Sequence, residues 1–160
     1  MKMNGRMKAL YASLKSTEAE DSSCMDSGLL ALLESGFAQA NGAVLLKAQQ
    51  NLAKGATPGN FPDLTGYECF VNHIHVEDYL RDTEPHLEPR RTLKHGFVFA
   101  HRLLENLSSS FPDKPFTVIL AFSESGCSVR FHSTRSGEEW LSDDLDRYDR
   151  EALLVLETSQ

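Results

Sequence analysis

Apolar positions change their period along the chain, and the changes mark out a series of elements. The stretch STEAEDSSCMDSG (16–28) reads as a polar loop after a mixed N-terminus. Leu29, Leu30, Leu32, Leu33 and Phe37 then fall on one broad face, with Asp26 or Ser27 placed to cap the helix they predict. Gly36 and Gly42 interrupt it, so a second short helix is expected near 43–54 (AVLLKAQQNLAK). Gly55 and ATPGNFPD (56–63) end the pattern with two prolines and a glycine. That break divides a helical or loose segment, 1–60, from a compact unit, 61–160. The two are read together as one globular body.

Beyond the break, YECFVNHIHV (67–76) alternates at period two and is rich in β-branched and aromatic residues, which predicts a strand. Phe70, Asn72, Ile74 and Val76 would face one way, and Cys69, Val71, His73 and His75 the other. Leu93, Phe97, Ala100, Leu104 and Leu107 recur at spacings of four and three, predicting a helix from about 90 to 110. PFTVILAF (115–122) and CSVRFHST (127–134) predict an antiparallel hairpin. Its register sets Val118 against Phe131 and Leu120 against Val129 on the core side, with Thr117 against His132 and Ile119 against Arg130 on the other. EEWLSDDLDRYDR carries a short helix with Ser142 as its expected N-cap, and EALLVLET (151–158) a final strand. The fold class is therefore α+β: a helical N-terminal segment, then β-α-β-β-(short helix)-β, with a helix on one face of a mostly antiparallel sheet.

Composition narrows the function classes. A chain of 160 residues, 41% hydrophobic and 24% charged, has an ordinary globular make-up and needs no metal or disulfide to hold a core. No apolar run approaches the roughly 18 residues of a membrane-spanning helix. The net charge of −7 disfavours non-specific binding to nucleic acid or to an anionic membrane. Cys24, Cys69 and Cys127 are odd in number and form no CxxC pair, which suits a reducing compartment. The basic start, with Lys2, Arg6, Lys8 and Lys15, leads into no apolar signal stretch, so a cytoplasmic protein is expected.

Catalytic signatures are sparse. His73 and His75 on one strand face, joined by His132 from a neighbouring strand, would give three imidazoles for a catalytic zinc and a metal-dependent hydrolase. The simpler account is three histidines on a half-exposed sheet face. The chain has no GxSxG, no GxxxxGK[ST] and no GxGxxG. Cys69 and Cys127 read as small buried residues, and His86, His95 and His101 as loop or helix-boundary residues. No cofactor and no enzymatic activity are expected.

Charge is the stronger signal. Eight acids against Arg147 and Arg150 crowd residues 138–157, and Glu77, Asp78, Asp82, Glu84 and Glu88 form a second cluster. Trp140 and Tyr148 sit within the first cluster, a mixture that suits a protein interface. Glu138, Glu139, Asp143, Asp144, Asp146 and Asp149 would steer and pair a basic partner, with Trp140 and Tyr148 as anchors. FVNHIHVEDYL (70–80) and SVRFHSTRSGEEWLSDDLDRYDREALLVLET (128–158) resemble sequences of bacterial immunity proteins, the small acidic partners that neutralise polymorphic or contact-dependent toxins. The resemblance implies a non-enzymatic inhibitor bound to a cognate basic, nuclease-like toxin domain. A regulatory or assembly module using the same acidic face is the other non-enzymatic reading.

Overall fold

The computed structural model describes residues 1–15, 25–50, 53–81 and 89–158. Cys24, Asp82, Glu84, His86, Glu88 and most of the expected loop 16–28 lie outside them.

The elements run β1 (Lys2–Met3), α1 (Gly5–Lys15), α2 (Ser27–Glu34), β2 (Phe37–Ala40), β3 (Ala43–Leu46), α3 (Lys47–Gln50), α4 (Leu64–Val71), β4 (Ile74–His75), α5 (Pro89–Ser110), β5 (Phe116–Ser123), β6 (Gly126–Ser133) and β7 (Ala152–Glu157). Five strands form an antiparallel sheet in the order β1-β7-β5-β6-β4, and β2 and β3 form a separate hairpin. The α+β class and the mostly antiparallel sheet agree with the sequence pattern, as does every expected β5–β6 pair.

α5 lies across one face of this sheet. Leu93, Phe97, Ala100, Leu103 and Leu107 share a core with Val118, Leu120, Val129, Phe131, Leu154 and Leu156. Residues of the N-terminal sixty belong to the same core, among them Met7, Leu29, Leu32 and Leu46. Asn4 fixes that union: its Oδ1 accepts from the amides of Met7 and Leu153, and its Nδ2 donates to the Glu151 carbonyl at 2.7 Å. The opposite sheet face is covered by residues 134–151, with Leu141 and Leu145 against Ile119 and Val155.

Three expected elements differ. The first helix ends at Glu34, and Phe37, expected on its apolar face, opens β2. Residues 43–46 are a strand rather than the start of a helix, and among the described residues of the expected stretch 43–54 only 47–50 are helical. Asn41 and Gly42 both have positive φ (52° and 83°) and join the paired Ala40 and Ala43, as a two-residue hairpin turn requires. All four β3 residues are buried, so their pattern shows no alternation.

The expected strand 67–76 is mostly the helix α4, and only Ile74 and His75 extend the sheet. Asp63 begins the helix by accepting from the Gly66 amide at 2.6 Å. From Thr65 to Val71 only Phe70 is exposed, so the helix has no broad polar face to reveal its period.

Candidate functional site

α4 is held where a strand would otherwise pair. Its Glu68, fully buried, accepts from the amides of Val44 (2.6 Å) and Ser133 (2.7 Å), from the Ser133 hydroxyl, and from both Nη atoms of Arg135 (2.8 and 3.0 Å). One turn on, Asn72 accepts from the Leu46 amide and donates to the carbonyls of Val44 and Phe131. These side chains bind α4 to the open sides of β3 and β6 at once. The hydrogen bonds to Glu68 raise the Arg135 guanidinium above its ordinary pKa.

The following loop is tied to the same helix. Glu138 accepts from the Thr65 amide at 3.0 Å and lies 3.8 Å from Arg135. This attachment brings the next two residues, Glu139 and Trp140, opposite α4 and leaves a cleft of about 390 Å³ between them. Phe61 and Phe70 form its α4 side, their ring centroids 5.1 Å apart, and Trp140 forms the other. Phe70 is 56% and Trp140 39% exposed, although both are large and apolar.

Arg130 and His73 also line the cleft. The Arg130 Nη2 donates to His73 Nε2 at 2.9 Å, and the guanidinium carbon lies 5.2 Å from the Trp140 ring centroid. Because arginine only donates, His73 must be neutral with its proton on Nδ1. Burial, then the charges of Arg130 and His75, push the His73 pKa down to about 4. Burial also lowers the Arg130 pKa, against the charge of Glu151, which raises it. Among the described residues no carboxylate oxygen lies within ion-pairing distance of Arg130. Cys69 lines the same cleft, but burial pushes its thiol up to about 12, so it holds its proton at neutral pH.

The other sequence candidates divide. The rings of His73 and His75 are 4.5 Å apart, but the group opposite His73 is a guanidinium rather than a third imidazole. His132 is buried and donates from Nδ1 to the Ser133 carbonyl; burial is the main cause of its lowered pKa. Among the described residues no three His, Cys, Asp or Glu side chains are grouped to hold a metal ion.

Of the acidic set, Glu138 serves α4. Asp144, rather than Ser142, caps the single 3₁₀ turn at Leu145–Arg147, and Asp146 accepts from the Gly5 amide. Tyr148 is half-buried and its hydroxyl accepts from the Ser142 amide, so it braces the loop. Glu139, Asp143 and Asp149 are exposed.

Phe61, Phe70 and Arg130 received no role from sequence. The expected strand sets Phe70 on one face with Asn72, Ile74 and Val76, whereas Leu64–Val71 is a helix. The available clue was D-L-T-G at 63–66, a helix-start pattern placing Phe70 nearly two turns along α4.

No helix among the described residues is long and apolar enough to cross a membrane. A family model described as "Uncharacterized protein PM0498 family" matches residues 2–160. No curated protein and no solved structure matches the chain.

Proposed function

Because the chain belongs to the uncharacterized protein PM0498 family, whose description assigns no activity, we propose its function from the site itself: a non-enzymatic module that binds a basic protein partner. The observation that carries this reading is the exposed aromatic pair, Phe70 and Trp140, facing each other across a cleft. Exposed aromatic residues beside a concavity supply contact area at low entropic cost and are typical anchors of protein interfaces. Glu139 lines the cleft beside Trp140, and together with the exposed Asp143 and Asp149 it gives the loop an acidic character complementary to lysine and arginine.

In its specific form the partner is a cognate basic toxin domain that the protein inhibits, as the resemblance to immunity proteins implies. The cysteine pattern suits the cytoplasm as the setting. The anchors of this reading are Trp140 with Phe70, in place of Trp140 with Tyr148.

The test begins with capture of partners from host lysate at low and high salt, followed by reconstitution with the purified partner. Asp143→Lys with Asp149→Lys should slow association and flatten its salt dependence. Phe70→Ala with Trp140→Ala should weaken binding at every salt concentration, each anchor contributing more than about 1 kcal/mol. A reconstituted complex indifferent to both pairs would refute this surface. A partner whose own activity persists in the complex would refute inhibition.

A further inference from the structure

We infer that the cleft between α4 and Trp140 is a binding site for a small aromatic carboxylate, with the carboxylate on Arg130 and the ring between Phe70 and Trp140. This goes beyond protein docking and stands whether or not a protein partner exists.

Four observations carry it. The cleft, at about 390 Å³, has a volume within the range of small-molecule sites. Its walls are aromatic on both sides, which suits a planar apolar body. Arg130 brings a guanidinium to the cleft with a neutral imidazole as its hydrogen-bond partner and, among the described residues, no carboxylate within pairing distance. That leaves a planar donor fork whose natural complement is a carboxylate. His73, accepting from one Nη2, fixes the orientation of the fork, and Trp140 holds its face.

The same lining argues against a phosphate ester. Asp63 and Glu139 also border the cleft, so a dianion would meet two carboxylates for one guanidinium. A monoanion with a compact charge suffers less repulsion, and among the described residues the cleft has no second Lys or Arg to hold a phosphate.

Trp140 is the chain's single tryptophan, so its fluorescence reports on the cleft directly. The experiment titrates the full chain with phenylacetate, phenylacetamide and phenyl phosphate. Phenylacetate should give a saturable change, with the amide about tenfold weaker because it forfeits a charge-assisted pair. Arg130→Gln should bring phenylacetate to the level of the amide, with circular dichroism confirming that the variant is folded. If that variant does not fold, the comparison of acid and amide on the unaltered chain decides alone. Equal affinity for acid and amide would overturn the role of Arg130, and tighter phenyl phosphate would overturn the choice of carboxylate. No saturable response up to roughly 10 mM, where a Kd of about 1 mM is readily seen, would overturn the site.

Discussion

Replacing Arg135 by leucine removes the counter-charge of a carboxylate that has no contact with water. Glu68 then loses two of its five hydrogen bonds and retains the amides of Val44 and Ser133 and the Ser133 hydroxyl. Breaking a buried pair in this way costs about 3–5 kcal/mol, a large part of a typical domain stability of about 5–15 kcal/mol. The usual remedy is to replace both partners by apolar residues, which often restores stability. Here that remedy fails, because Glu68 also serves two backbone amides. Glu68→Leu with Arg135→Leu leaves both amides without that acceptor, at about 1–3 kcal/mol each. The double variant is therefore expected to stay about 2–6 kcal/mol below the parent. Urea unfolding measures it: with a slope near 2 kcal/mol per M, a loss of about 4 kcal/mol lowers the midpoint by about 2 M. A double variant as stable as the parent, at unchanged slope, would show that the backbone bonds of Glu68 contribute nothing.

Three further outcomes are expected. Gly28→Ala should destabilise by about 1–3 kcal/mol despite alanine's helix propensity, because a Cβ there would lie 1.9 Å from the Tyr79 carbonyl oxygen; thermal melting reads it. His73 titrates near its ordinary 6.5 when unfolded and at about 4 when folded, so between these values the unfolded chain holds more protons. Its contribution to stability is complete above pH 6.5 and lost as pH falls toward 4, in the same direction as that of His132. Urea midpoints across that window should show this acid limb, and His73→Gln, which retains an acceptor for Arg130, should flatten it. Cys69 and Cys127, both buried and with thiols raised by burial, should alkylate far more slowly in folded protein than in urea, as peptide mass spectrometry would show; equal rates would contradict the packing.

Sequence legibility followed the shape of each element's burial. α5 has one buried side, and β6 alternates between buried and half-buried positions from Gly126 to Phe131, so the helix period and the hairpin register were readable, including Thr117 against His132. β7 was readable as a strand because its apolar run is short and β-compatible. β3 and α4 are buried nearly all round, which erases the period that distinguishes helix from strand. Local chemistry still marked both: Asn41-Gly42 signals a hairpin, and Asp63 with Gly66 a helix start. The cleft was harder to find, since Phe61, Phe70, Arg130 and Trp140 come from four separate stretches and meet only once α4 is docked. Charge density pointed to residues 138–149, yet Glu138, Asp144 and Asp146 are engaged in shaping the loop. Abundance of acids does not separate those that face a partner from those that fold the chain.

The docking of α4 has a consequence for the behaviour of the protein in concentrated solution. Glu68 and Asn72 occupy the amides of Val44, Leu46 and Ser133 and the carbonyls of Val44 and Phe131. Those are groups through which the side of β3 and the far end of β6 would recruit a strand from a second molecule. A helix that terminates two sheets with side-chain hydrogen bonds offers no ladder to extend, so it blocks edge-to-edge aggregation at both. Local detachment of these eight residues would uncover two sticky edges together, without unfolding the α5-covered core.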